Sequence, residues 1–152
     1  MQIATVLSGL LAGVVLWTLF EYLLHRWGFH HRRESLILAL VAREHRMHHR
    51  EPLRTSLLLR TLAWLAVVAP TAPLAVLWGA PGAGLVLGWA LGYTAYDRFH
   101  WRSHHRHGRS RYETWLRARH NVHHYGNPHH NYGVTSDIWD RVLRTGIPAD
   151  RP

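Results

Sequence analysis

The sequence predicts an all-α integral membrane protein of about three transmembrane helices that carries a cytoplasmic, histidine-rich helical cap. Three observations predict it. Residues 1–20 and 61–96 contain no charged side chain. All 18 basic residues are Arg, and every one falls between Arg26 and Arg60 or between Arg98 and Arg151. Most of the 15 His recur in four short motifs at helical spacing, beside the apolar blocks.

Composition sets further bounds. A chain of 152 residues suits one domain, spanning 1–152. With no Cys there is no disulfide, thiolate zinc site or iron–sulfur cluster held by this chain. A net charge of +9 in a soluble protein would suggest nucleic acid as partner. Here apolar blocks separate the basic stretches, which match no nucleic-acid-binding fold, so nucleic acid is excluded and membrane lipids are the expected contact.

The first block, "IATVLSGLLAGVVLWTLFEYLL" (3–24), crosses a hydrocarbon layer of roughly 30 Å at about 1.5 Å per residue. It lacks the basic start, short apolar core and small-residue cleavage site of a signal peptide, so it reads as a span. Gly9 and Gly13 form a small-xxx-small pair suited to close helix packing. The second block divides at "GAPGAG" (79–84) into spans 61–79 and 82–99, a helical hairpin. Pro70 and Pro73 should kink its first arm, and its second arm should continue as helix through "YDRFHWRSHH". The hairpin starts and ends where the first helix ends, so both Arg-rich stretches emerge on one side. The positive-inside rule makes that side cytoplasmic and the N-terminus external. The cap then comprises 25–60 and 100–152. Within it, "SLILALVA" (35–42) is too short to span and should form an interfacial helix. A last helix should start at "TSDIWDRVL", with Ser136 or Thr135 as N-cap and Asp137 near the positive end of the dipole.

The histidine motifs carry the chemistry. They are His25 and His30 in "HRWGFH", His45, His48 and His49 in "HRMHH", His100 and His104 in "HWRSH", and His120, His123 and His124 in "HNVHH". Residues three and four apart share a helical face, so the second and fourth motifs each turn three imidazoles one way. His25 and His30 are five apart, about 500° of helix, and converge only if the helix unwinds or bulges near Gly28. Neutral imidazole suits Fe, Zn, Cu or Ni. One zinc needs about four ligands, so these histidines suit two metals with about five positions each. His31, His105, His107, His129 and His130 fit no such face. Glu21 and Asp97 lie about one turn before His25 and His100, where a carboxylate could accept the second ring N–H. A soluble four-helix di-iron protein is disfavoured, because the chain lacks its Glu-x-x-His ligands.

In sequence, "EYLLHRWGFH", "REHRMHH", "GYTAYDRFHWRSHH" and "RHNVHHY" followed by "YGVTSDIWDRVLRTG" resemble the successive motifs of the fatty acid hydroxylase/sterol desaturase superfamily. The closing "GVTSDIWDRV" and the "YDRFH" group are most similar to the fatty acid 2-hydroxylase branch. The resemblance covers roughly residues 20–146. It implies a membrane-bound, O2-dependent di-iron enzyme with two Fe ions, replaceable by Zn in purified protein, and O2 as cosubstrate. The family's metal positions fall on His25, His30, His45, His48, His49, His100, His104, His120, His123 and His124. The expected reaction is hydroxylation of a lipid substrate, a fatty acyl chain. The alternatives are a desaturase or a sterol or carotenoid hydroxylase of the same superfamily, toward whose sterol-oxidising branch "NPHHNYG" leans, and a non-enzymatic membrane metal-binding protein. Fused members carry a cytochrome b5-like domain, which does not fit in this length. Electrons are therefore expected from a separate donor, a ferredoxin or cytochrome b5-like protein. Family enzymes commonly have four spans, one more than expected here. Exclusive use of Arg fits a GC-rich bacterial genome and hence an inner membrane.

Overall fold

The computed structural model describes residues 2–30 and 36–149, and among these the regular structure is helical with no strand. His31 and Ser35 lie outside the described residues. The elements are α1 (Gln2–Leu23), a π-helical segment (Leu24–Phe29), α2 (Leu36–Arg50), α3 (Leu57–Val68), a 3-10 turn (Ala69–Thr71), α4 (Pro73–His105), α5 (Arg111–Asn121), a second π-helical segment (Val122–Gly126) and α6 (Ile138–Val142). They form two compact units. One comprises the chain up to Leu19 with Thr55–Asp97, and the other Phe20–Arg54 with the chain from Arg98 onward.

In the first unit the expected hairpin forms, and its register can be read from side-chain contacts between its arms. Arg60 binds Asp97, the Trp64 indole donates to Thr94 Oγ1 at 3.1 Å, and the Trp89 indole donates to the Val67 carbonyl at 3.1 Å. Toward the tip Gly82 lies against the Leu74 carbonyl. The chain reverses at Gly79, whose φ of 59° and ψ of −132° lie outside the range that a side chain with Cβ readily adopts. The two prolines do more than kink the first arm. Pro70 sits in the 3-10 turn that ends α3, and Pro73 opens α4, where a missing N–H costs no helical hydrogen bond.

The first part of α1 packs on α4 at backbone distance. A Cβ on Gly13 would lie 2.2 Å from the Leu85 carbonyl oxygen, and one on Gly88 would lie 2.0 Å from that of Leu10. The small residues on both helices thus remove the atoms that would hold them apart. Below this contact Trp17 is buried, with its ring edge-on to Trp89 and Tyr93 at centroid distances of 5.2 and 5.0 Å. Ile3, Leu7 and Leu11, one helical turn apart, face outward and are exposed. The run Gln2–Phe29 and helix α4 are each long and apolar enough to cross a membrane. The apolar helix Leu57–Thr71 is shorter.

The second unit is built around the histidines. At Leu24–Phe29 the helix widens to the π form, in which residues five apart come into line. This is the bulge that the His25/His30 spacing requires. The apolar stretch expected as an interfacial helix is, from Leu36, the first half of α2, whose second half carries His45, His48 and His49. Helix α5 starts at Ser110, whose Oγ accepts from Glu113 N at 3.2 Å, while the Glu113 carboxylate accepts from Arg109 N and from Arg102. The last helix differs from expectation at its start. Its N-cap is Asp137 and not Ser136 or Thr135, because Thr135 turns its N–H and hydroxyl to Glu21.

Candidate metal centre

All ten histidines expected as ligands come together within the second unit, in two groups. His25, His30, His45, His49 and His123 form one, and His48, His100, His104, His120 and His124 form the other. In each group one nitrogen per ring lies within 4.8 Å of every other. Nitrogens at a bond length of about 2.0–2.1 Å on opposite sides of one ion would be roughly 4.2 Å apart, so each group has the dimensions of a single-ion site. The groups adjoin, with the His123 and His124 rings 5.8 Å apart and those of His48 and His49 6.2 Å apart.

The three-histidine motifs do not act as single faces. His45 and His49 serve one group and His48 the other, while His120 and His124 serve the second group and His123 the first. The reason is angular. Residues four apart on a helix differ by about 40°, but the residue between them in the motif stands about 100° from its neighbour. Each motif therefore straddles the two groups.

Hydrogen bonding fixes how the rings turn. His25 Nδ1 donates to the Tyr132 carbonyl at 2.6 Å, and His123 Nδ1 donates to the His130 carbonyl at 2.8 Å. Both rings then present a lone pair on Nε2, the form that binds a cation. His45 Nε2 lies 3.0–3.2 Å from the Nε2 atoms of His25, His30 and His49. One N–H cannot serve three such neighbours, so this convergence is that of ligands about a shared centre rather than a hydrogen-bond network. In the second group His48 Nε2 and both ring nitrogens of His124 are buried with no hydrogen-bond partner among the described residues. An orphaned buried nitrogen is costly, and a bound cation would remove that cost.

Burial sets the charge state. His45 and His120 are held well below the ordinary imidazole pKa, first by desolvation and then by neighbouring imidazoles. His48 and His123 are pushed down to about 3, again chiefly by burial, and His49 and His124 shift the same way. The rings are neutral near pH 7, as ligands must be. The donor set is nitrogen without thiolate or carboxylate, which favours late first-row metals and iron over Mg or Ca.

Two expected roles are corrected. Glu21 is buried, but its carboxylate accepts from Val134 N at 2.7 Å, from Thr135 N at 3.0 Å and from Thr135 Oγ1 at 2.7 Å. The acceptor for His25 is the Tyr132 carbonyl instead, so Glu21 acts on the loop and not on the ring. Asp97 takes the Arg60 guanidinium across the hairpin on both oxygens, and that ion pair replaces the expected support of His100. Of the remaining histidines, His105 stacks on Trp101, His107 accepts from Arg117, and the His130 ring binds the Thr145 carbonyl. None of these, nor His129, belongs to either group. Sequence reasoning missed the carbonyls of His130 and Tyr132, which leave no mark in a sequence. It also gave no role to Asp140, fully buried and paired with Arg119 at 3.0 Å.

The chain is similar to known proteins. A family model for fatty acid hydroxylases matches residues 10–145. The chain is 37% identical over 148 residues to a dihydroceramide fatty acyl 2-hydroxylase of Arabidopsis thaliana, covering 90% of this chain and 60% of that protein. It is 32% identical over 153 residues to a ceramide very long chain fatty acid hydroxylase of Saccharomyces cerevisiae, and 31% over 155 residues to a fatty acid 2-hydroxylase of Macaca fascicularis. These alignments cover 92% and 90% of this chain but only 38% of either relative. In three dimensions it is similar to the hydroxylase domain visible in a structure of full-length scs7p, with a TM-score of 0.74 and 29% identity, covering all of this chain and 60% of that one. With its model matched over most of the length and its histidine motifs gathered into two adjoining groups, the chain belongs to the fatty acid hydroxylase family, on the side of its 2-hydroxylases.

Proposed function

We propose that this chain is a membrane-bound hydroxylase of lipid acyl chains, of the fatty acid or ceramide class, working with O2 and two iron ions. The observation that carries the reading is the pair of adjoining five-imidazole groups in a chain of this family. His25, His30, His45, His49 and His123 would hold one ion, and His48, His100, His104, His120 and His124 the other. When bound, the iron ions supply the activation of O2 that breaking an unactivated C–H bond demands and that no side chain provides.

The rest belongs to the protein. The carbonyls of Tyr132 and His130 keep protons on the far nitrogens of His25 and His123, so that Nε2 faces inward. Burial keeps the rings neutral and limits the access of water. In the balanced reaction one oxygen atom enters the C–H bond and the other leaves as water. Two electrons come, one at a time, from a separate donor of the ferredoxin or cytochrome b5 kind, and the two protons come from solvent water. The topology proposed is three spans, formed by α1 and the two hairpin arms, with the histidine cap on the cytoplasmic face, where the Arg residues cluster.

The test is comparative lipidomics of cells producing the intact protein or a His48→Ala variant, grown under isotopically labelled O2. Lipids that gain one labelled oxygen only with the intact protein support the reading. A gained double bond makes the chain a desaturase, and an unchanged lipid profile with metal bound makes it a metal-binding protein.

A further inference from the structure

Asp140 has no exposed surface and lies on α6, remote in sequence from every histidine motif but one. Its Oδ1 accepts from Tyr132 N at 3.0 Å and from Thr145 Oγ1 at 2.8 Å. Its Oδ2 accepts from Gly133 N at 2.9 Å and from Arg119 Nη2 at 3.0 Å. Two backbone N–H groups of one loop are thus pinned by a single buried carboxylate. The loop is shaped to allow it, since a Cβ on Gly133 would lie 2.0 Å from the Ser136 carbonyl oxygen and 3.1 Å from Oδ2. Asn131 completes the turn at a φ of 55°, which Asn tolerates, and its N–H donates to the Thr145 carbonyl at 3.0 Å.

What this loop presents is specific. Tyr132, pinned through its N–H, offers its carbonyl to His25, and the preceding His130 offers its own to His123. Both rings belong to the same group. Among the described residues His48, His104, His120 and His124 of the other group make no such hydrogen bond to the loop. His120 Nδ1 and His124 Nδ1 are buried with no hydrogen-bond partner among the described residues.

We infer that Asp140 is a positioning residue for one metal position only, the one framed by His25, His30, His45, His49 and His123, and that it acts through the 130–133 loop. The carboxylate never touches a ring. It fixes the loop, the loop carbonyls fix the tautomers of His25 and His123, and the two metal positions are made unequal. This rests on the two-ion reading above. In Asp140→Asn one of the two oxygens becomes an amide that faces loop N–H groups as a donor, so the loop loses an anchor while the side-chain volume is kept.

The experiment follows release of Fe2+ to a chromophoric chelator from anaerobically loaded, full-length protein in detergent. Wild-type protein is expected to release two ions in separable phases, and His48→Ala identifies the phase of the second group. In Asp140→Asn the phase of the first group should accelerate about 10–100-fold, the usual effect of losing a partner outside the ligand shell, with the other phase unchanged. Thr145→Val removes one hydrogen bond from Asp140 and leaves the carboxylate in place. It should show the same selectivity at smaller amplitude, and it decides the matter if Asp140→Asn does not fold. Equal acceleration of both phases, or of neither, in a folded variant overturns the assignment. Wild-type protein that takes up no iron overturns the two-ion reading itself, and this assignment with it.

Discussion

His49 and His124 stack face to face, with ring centroids 4.1 Å apart and planes 8° from parallel, although they belong to different groups. Among the described residues no pair of rings across the boundary lies closer, so the two candidate ion sites stand side by side. The stack also separates two otherwise similar substitutions. His49→Ala should weaken the ion of the first group and His124→Ala that of the second, each by about 100-fold or more, since both remove a ligand outright. Elemental analysis after gel filtration should find about one ion per chain in either variant, against about two in the parent. Loss of both ions from both variants would mean that the groups are one cooperative site.

The buried rings make acid stability directional. His48 and His123 titrate near 3 in the folded protein, against about 6.5 when unfolded. As pH falls through 6.5 the unfolded chain takes up protons that the folded chain refuses, so unfolding becomes more favourable. The stability they contribute is complete above about 6.5 and declines between 6.5 and 3. The thermal midpoint of metal-free protein should therefore fall steadily from pH 7 to pH 5. A midpoint that rises on acidification would contradict the neutral-ring arrangement.

Much of this was legible because helical periodicity is a local property. The His45/His49 and His120/His124 spacings depend only on turns of helix, and the His25/His30 spacing even demanded the π-helical segment at Leu24–Phe29. The hairpin followed from charge depletion broken by glycines, and Gly79 turns where expected. What periodicity could not convey is which neighbour a group finds. Glu21 stands one turn before His25 but binds a loop more than a hundred residues later. Asp97 met a guanidinium from the other arm of the hairpin. The division of each histidine motif between two groups needed the other helices to be in place.

The loop contact of Glu21 has its own consequence. Its carboxylate receives three hydrogen bonds from Val134 and Thr135, and it is 3% exposed. Glu21→Ala takes the acceptor away from the Val134 and Thr135 N–H groups and the Thr135 hydroxyl, at a cost of about 1–3 kcal/mol. Chemical unfolding in detergent should show that loss. Thr135→Val, which removes only the hydroxyl bond, should cost less, and an equal or larger cost for Thr135→Val would show that the carboxylate is not the anchor.

Packing of α1 on α4 is set by backbone proximity, so it should be intolerant of any side chain. Leu in place of Gly13 or Gly88 would occupy the place of a carbonyl oxygen about 2 Å away, and the helices would have to part. Each change should cost about 1–3 kcal/mol or more, as overpacking does, whereas Leu11→Ala on the exposed side should cost far less. Thermal melts of the three variants in one detergent test the ranking, and similar losses for all three would place the helix contact elsewhere.

Arg60 and Asp97 allow the ion pair and the metal support once expected of Asp97 to be told apart. The guanidinium engages both carboxylate oxygens, with Nε to Oδ1 at 2.8 Å, and the two side chains are 31% and 26% exposed. At that exposure screening is partial, and a bidentate pair should couple by about 1 kcal/mol, at the upper end for accessible pairs. If the carboxylate serves only the hairpin, Asp97→Asn and Arg60→Met should lose similar stability, the double variant should lose little more than either, and all three should keep their metal. A carboxylate that held His100 would behave differently, because Asp97→Asn would shed iron while Arg60→Met would not. Stability and metal content measured on the same three preparations therefore decide whether Asp97 works across the hairpin or on the ring that follows it.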